Sequence, residues 1–350
     1  MGQTELDPAD AQGPQHQRIV IVPTIHDVAK EAGVAASTVS RALNNPQRVN
    51  VRTREHVRAV AERLGYRPNP LARALPSGRT TTVGLLVPDI TNPFFFDLIR
   101  GAERQARAAD YTTILADTEE SAEVEARHID RLGRAVDGFV LASSRLSNDQ
   151  LSELSGGHVL TLVNRQVPGV PSALVDNAVS TRNVVEHLAS LGHRSIAYLA
   201  GPRPSWSSTQ RWEALCAAAK PLGIDIQQLG PFPPIMEGGA AAADAAIGRG
   251  VTAVVAFNAL LAIGTLRRFA ERGKHVPADI SVVGYDDIFG ADFCAPPLTT
   301  VSGPIEDIGR AAVDLLLGRL GSRGHEEPAH TVALPSYLRI RQSTGPATTT

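Results

Sequence analysis

Residues 24–75 read TIHDVAKEAGVAASTVSRALNNPQRVNVRTREHVRAVAERLGYRPNPLARAL, and their punctuation specifies three short helices. Thr24 suits an N-cap, and Asp27, three residues on, can return the bond as in a capping box. Ile25, Val28, Ala29 and Ala32 then recur on one helical face, and Gly33 permits the sharp turn that ends the helix. A second helix, from about Ala36 to Asn44, buries Val39, Ala42 and Leu43 and exposes Ser37, Ser40 and Arg41. Asn44-Asn45-Pro46 breaks it. A third, from about Thr53 to Leu64, turns Val57, Val60, Ala61 and Leu64 inward before Gly65. Three short helices with a glycine turn between the first two form a helix-turn-helix pattern. Beyond them Asn69 can cap, Pro70 suits the first helical position and Pro76 forbids continuation. That helix, Pro70 to Leu75, is too short to persist alone in water and is expected to be coil until something binds it.

Charge singles out the same stretch. Residues 24–75 hold nine basic residues against four acidic ones, a net +5, which leaves −7 on the rest of a chain whose total is −2. A compact basic module on an acidic body suggests that the module alone meets a polyanion. Residues 1–23 mix Pro, Gly, Gln and Asp without periodicity and are expected to be a flexible tail. The amino terminus has no apolar stretch of signal-peptide length, and no run of about 18 apolar residues predicts a membrane span. Two cysteines, Cys216 and Cys294, give neither a disulfide framework nor a zinc finger. A cytoplasmic location follows as the expectation.

From Thr81 onward apolar runs alternate with amphipathic stretches. Strands are expected at 82–87, 112–116, 138–142, 159–164, 173–176, 196–201, 253–258 and 280–286. Helices are expected at 94–109, 122–134, 178–191, 208–219, 260–272 and 305–320. This alternation means βαβ units and parallel sheets, and 250 residues of it call for two α/β subdomains with a cleft between them. Small ligands sit at the carboxyl ends of such strands. Asn164 with Arg165, Asp176, Asn258 and Asp286 each end an apolar run. Arg211 lies near the start of the helix after Gly201, and Trp206 is expected in the loop before it. Carboxylates and amides for hydroxyl pairs, a forked guanidinium and an aromatic ring suit a sugar or nucleoside.

Enzyme signatures do not occur. No GxGxxG follows a strand, and there is no phosphate-binding GxxxxGK[ST], no GxSxG elbow and no metal-ligand spacing among the ten histidines. The expectation is a protein that is not an enzyme, with no catalytic residues, no metal and no cofactor.

The 24–75 segment resembles the DNA-binding headpiece of the LacI/GalR family of bacterial transcription regulators. VGLLVPDITNPFF (83–95), VDGFVLASS (136–144), EHLASLGHRSIAYLAGP (186–202), AVVAFNALLAIGTLR (253–267), DISVVGYDDI (279–288) and PPLTTV (296–301) resemble that family's effector-binding core, in the same order. The resemblance covers about residues 24 to 341. It implies a flexible tail over 1–23, a helix-turn-helix DNA-binding domain over 24–69 and a hinge helix and linker over 70–80. The core would follow as one Rossmann-like subdomain of periplasmic-binding-protein type over 81–192 and 304–341, a second over 193–303, and a flexible tail over 342–350.

The resemblance also assigns roles. Ala36, Ser37 and Arg41 would face base edges in the major groove, with Arg41 the best candidate because it can fork onto guanine. Thr24, Thr38, Ser40, Asn44 and Arg54 would contact phosphates. Leu75 would wedge into the minor groove, and ordering two hinge helices there requires a homodimer on a pseudo-palindrome. Phe94, Arg211, Asn258 and Asp286 match recurrent effector contacts, with Asp176 and Trp206 as further candidates. Ala35 stands where the family often has a capping Ser, Ala259 where it usually has Asp and Gly303 where Gln is common. The chain therefore reads as a DNA-binding transcriptional regulator, most often a repressor in this family. Its partners would be double-stranded operator DNA and a small-molecule, carbohydrate-like effector, and it would act in the cytoplasm at the nucleoid. The alternative is a solute-binding protein that delivers a sugar to a transporter, which explains the core but not the basic headpiece.

Overall fold

The computed structural model describes residues 23–44, 46–66, 79–322 and 328–348. Residues 1–22 of the tail expected over 1–23, the hinge helix and Leu75 lie outside the described residues. The chain divides into two compact units, up to Gly78 and from Arg79.

The first unit holds α1 (Ile25–Ala32), α2 (Ala36–Asn44) and α3 (Val51–Leu64), with a single 3₁₀ turn at Pro46–Arg48. Thr24 and Asp27 form the capping box, and Gly33 closes α1 at φ 64°, a left-handed conformation that glycine adopts without a Cβ penalty. α3 begins two residues before the expected Thr53. Asn50 Oδ1 accepts the Arg52 N–H at 2.9 Å, a side-chain cap outside the apolar periodicity that set the expectation. Val28, Ala29, Ala32, Val39, Ala42, Val57, Val60 and Ala61 close a small core among the three helices.

The second unit contains β1 (Thr82–Val87), α4 (Phe94–Ala108), β2 (Thr112–Asp117), α5 (Ala122–Leu132), β3 (Gly138–Ala142), α6 (Asn148–Gly157), β4 (Leu160–Val163) and β5 (Ser172–Asp176). After them come α7 (Ala178–Ser190), β6 (Ser195–Leu199), α8 (Trp206–Ala219), β7 (Asp225–Leu229), α9 (Gly238–Arg249), β8 (Ala253–Ala256) and α10 (Ala259–Glu271). The chain continues through β9 (Ser281–Tyr285), β10 (Thr299–Ser302), α11 (Ile305–Gly321), β11 (Thr331–Pro335) and β12 (Tyr337–Arg339). Two six-stranded sheets result, ordered β11-β5-β4-β3-β1-β2 and β12-β10-β9-β8-β6-β7. Only the β10–β12 pair is antiparallel among the described pairings. The two α/β halves match the expected architecture. β7, β10, β11, β12 and α6 had no clear sequence signal. β7 (DIQQL) holds only two apolar residues on a sheet edge, and α6 (NDQLSELSGG) buries little besides Leu151.

The chain passes between halves at residues 176–178, 302–305 and 335–337, which moves the expected boundaries. α7 packs on α8 and β12, and Thr181 Oγ1 lies 2.8 Å from Tyr285 Oη of β9, so residues 178–192 belong with the second sheet and not the first. β12 joins the second sheet as well, although 304–341 was assigned to the first. Nor do residues 342–348 form a free tail. Ser343 is fully buried and its hydroxyl donates to Val282 O, while the Gly345 N–H reaches Ser281 Oγ at 3.1 Å and the Ala347 N–H reaches Leu191 O at 2.8 Å. Small polar residues can order such a segment when they satisfy backbone groups where a strand begins.

Candidate functional site

Two surfaces carry the chemistry. In the first unit Val39 and Ala42 hold α2 to the core, so its opposite face presents Ser37 and Arg41, one turn apart. The Arg41 guanidinium lies along that face: Nε donates to Ser37 O at 3.2 Å and Nη2 to Ser37 Oγ at 3.3 Å. Ala36, Thr38 and Ser40 flank it, partly exposed, and Arg54 is partly exposed on α3. Thr24 is less available than expected, because its hydroxyl donates to Asp27 Oδ2 at 2.7 Å within the capping box. The Asn44 side chain is outside the described residues. Ala35 offers no hydroxyl cap, and its carbonyl alone accepts the Thr38 and Val39 N–H groups, at 2.8 and 3.1 Å.

The second surface is a cleft in the larger unit, of about 400 Å³ including its open mouth, lined from both halves by Asn92, Phe94, Phe95, Arg145, Asn164, Ser207, Arg211, Phe257, Asn258 and Asp286. The strands deliver these groups at their carboxyl ends. Ser143, Asn164 and Asp286 follow β3, β4 and β9 with φ of 48°, 49° and 89°, conformations that side chains seldom adopt and that turn each residue out of its strand. Asn164 Oδ1 accepts the Val175 N–H at 3.0 Å, and the Asp286 N–H donates to Val301 O at 2.8 Å, so neighbouring strands hold both turns.

At the cleft floor Arg211 Nη2 donates to Asp286 Oδ1 at 2.8 Å, and Nη1 donates to Phe257 O. The guanidinium carbon stands 4.2 Å from the centre of the Tyr285 ring and 5.1 Å from that of Phe257. Arg211 Nε has no partner. Burial works to push the Asp286 carboxyl up, and the Arg211 charge opposes it. Burial also raises the Tyr285 and Tyr198 hydroxyls, which stay neutral. A fixed cation–carboxylate pair beside aromatic faces can divide its remaining lone pairs and N–H groups among the hydroxyls of a polar ring.

Of the six expected effector residues, Phe94, Arg211, Asn258 and Asp286 meet in this cleft. Asn258 is already committed: Oδ1 caps α10 on the Leu261 N–H at 2.9 Å, and Nδ2 donates to Pro234 O at 2.8 Å. Asp176 is absent from the lining. It is exposed, and its Oδ1 accepts the Ala178 N–H at 2.9 Å, a turn role. Trp206 is not in a loop but opens α8, which Ser205 caps, and it faces a neighbouring groove. Ala259 is fully buried in the first turn of α10, and a Cβ at Gly303 would come within 2.9 Å of Val175 Cγ1. The sequence reading missed Asn92 and Ser207, since neither ends an apolar run. It also missed Arg145, which pairs with Glu120 across 2.5 Å and takes the buried Glu125 carboxylate on its backbone N–H at 3.0 Å. Among the described residues no group of three or more His, Cys, Asp and Glu could hold a metal ion, and no helix is long and apolar enough to cross a membrane.

Comparison with known proteins agrees over most of the chain. Residues 24–69 match the lacI family of bacterial regulatory proteins, and residues 185–344 match a periplasmic binding protein-like domain. The HTH-type transcriptional regulator DegA of Bacillus subtilis is 32% identical over 336 residues, covering 93% of this chain and 99% of DegA. The HTH-type transcriptional repressor CytR of Escherichia coli is 32% identical over 329 residues, covering 92% of this chain and 96% of CytR. Among solved structures, the Lac repressor dimer bound to operator and the anti-inducer ONPF superposes with a TM-score of 0.82 at 26% identity, over 93% of this chain and 99% of that one. A LacI family transcriptional regulator from Enterococcus faecium with bound ribose superposes at 0.67 and 31% identity, over 76% of this chain and all of that one.

Proposed function

This chain belongs to the LacI family of bacterial regulatory proteins, and from that membership we infer a DNA-binding transcriptional regulator whose operator affinity is set by a small molecule in the cleft. The observation that carries the reading is the pairing, in one chain, of a basic three-helix unit exposing Ser37 and Arg41 with an α/β unit whose cleft floor is the Arg211–Asp286 pair. We assign Arg41 to direct base readout, with Ala36 and Ser37 beside it. Thr38, Ser40, Asn44 and Arg54 take phosphates, Thr24 supports the helix start, and Leu75 is the minor-groove wedge. DNA of two half-sites calls for a homodimer. The effector is carbohydrate-like, the relatives being regulators and one neighbour holding ribose. Phe94, Arg211 and Asp286 receive it, Asn258 frames the site, and Asp176 and Trp206 stand outside its floor. In this reading the protein catalyses nothing and works in the cytoplasm on chromosomal DNA.

Regulation is a coupling free energy between two sites. A ligand that grips both sheets prefers one relation of the halves over another, and the DNA affinity shifts by the difference. A titration of fluorescent genomic fragments by the full chain tests this reading. Sequence-selective binding with a steep salt dependence supports it, and a chain that retards no fragment is a transport component instead.

A further inference from the structure

A second, larger groove opens beside the effector cleft and shares Arg145 and Ser205 with it, so the two are continuous. It spans about 1200 Å³, part of it open to solvent, and carries three arginines, Arg145, Arg165 and Arg203, with Trp206 on one wall. The one carboxylate in its lining is Asp149, and Glu120 of the adjoining cleft pairs with Arg145. Two helices point their amino-terminal ends into it, one from each half: α6, of ten residues and capped by Ser147, and α8, of fourteen residues and capped by Ser205. Each end adds partial positive charge.

Arg165 is 8% exposed, and its Nη2 donates to Leu146 O at 3.1 Å and Asn148 Oδ1 at 2.7 Å, yet its buried Nε has no partner. Burial and the neighbouring Arg145 work against its charge, and the buried Glu125 carboxylate supports it. A guanidinium with an unmet N–H beside two helix ends can take a further acceptor, and the helix ends favour one that carries negative charge. Trp206 offers a face on which the apolar side of a ring can lie.

We propose that this groove is an anion subsite, so that the effector is a hydroxylated ring in the inner cleft bearing a phosphate or carboxylate that reaches Arg165 and Arg203. The proposal rests on the cleft being the effector site. The anion would bridge α6 and α8, which lie in different halves, and so favour the closed relation of the two.

Calorimetric titration of the full chain with matched pairs tests it: D-ribose with D-ribose 5-phosphate, D-glucose with D-glucose 6-phosphate, and D-glucose with D-gluconate. The anionic member of a binding pair is expected to be at least about tenfold tighter, a gain typical of one charge-assisted contact. Phosphate against carboxylate preference identifies the group. Arg203→Ala, an exposed position, should remove that advantage and leave the neutral sugar unchanged, whereas Asp286→Asn should weaken both members. Equal binding within the pairs, or equal losses for both members on Arg203→Ala, overturns the subsite while leaving the cleft reading intact. Inorganic phosphate and pyrophosphate at millimolar concentration separate the remaining cases. A melting shift that Arg203→Ala abolishes supports the subsite even where no sugar binds and the cleft reading fails, and the absence of any such shift overturns it.

Discussion

Arg211 Nη2 meets Asp286 Oδ1 at 2.8 Å with the two side chains only 7% and 11% exposed, which joins α8 to the end of β9 at the floor of the cleft. A buried pair of this kind contributes little beyond a well-packed apolar replacement, but breaking it leaves an uncompensated charge. Arg211→Ala is therefore expected to lower core stability by about 3–5 kcal/mol, read by chemical denaturation. The double variant Arg211→Met, Asp286→Leu should recover most of that loss. A double variant as unstable as the single one would show that the residues are not coupled in this way.

In the proposed function the headpiece separates readout from positioning. Arg41→Ala should cost about 1–3 kcal/mol on the preferred operator and almost nothing on random DNA, because it removes a fork onto a base edge. Arg54→Ala should weaken both DNAs alike and reduce the salt slope by about one. Fluorescence anisotropy on specific and scrambled duplexes distinguishes the two, and equal losses for Arg41→Ala on both duplexes would remove it from the readout.

Acid should loosen the larger unit through His193. The ring is 1% exposed, its Nε2 lies 3.1 Å from Gly345 O and its Nδ1 lies 2.8 Å from Thr252 Oγ1, and burial holds its pKa below the ordinary value. The unfolded chain binds the proton more readily than the folded one, so the stability from the neutral ring is complete above about pH 6.5. It falls as pH drops below that value towards the depressed folded pKa. His187, also held low by burial, contributes in the same direction. Melting midpoints of wild type and His193→Gln should converge between neutral pH and about pH 5. Parallel curves would mean that the ring is not the group responsible.

Gly101 brings α4 against α11, and a Cβ there would come within 1.9 Å of the Glu306 carbonyl oxygen. Backbone cannot rotate away as a side chain does, so Gly101→Ala must part the two helices. A loss at or above the ordinary overpacking cost of about 1–3 kcal/mol is expected. Gly248→Ala, on an open helical surface with nothing within 4 Å of the new Cβ, should be neutral or slightly stabilising, and thermal melts of the two variants settle the comparison.

Much of the fold is legible because its signals are local. Thr24 with Asp27, Gly33 and Gly65 state where helices begin and end, and the apolar runs at 82–87, 138–142 and 280–286 mark buried strands whatever surrounds them. β7 and β12 had no such mark. Edge strands alternate weakly, and the sheets they complete are assembled from distant segments. The site divides in the same way. Arg211 was visible by its place near the start of the helix after Gly201, and Asp286 as a polar residue ending an apolar run. Asp176 has the same local pattern, yet it caps its own turn outside the cleft.

By itself the sequence determined the three-helix basic unit, the alternating α/β body and the residue types available at strand ends, since these depend on caps, periods and charges within a few turns of chain. Tertiary structure decided which of those residues meet. The chain passes between the halves at 176–178, 302–305 and 335–337, and those passages set α7 and β12 against the second sheet and bring α8 to the end of β9. Convergence of this kind is a long-range property of register and packing, and no local pattern around Arg145 or Trp206 records it.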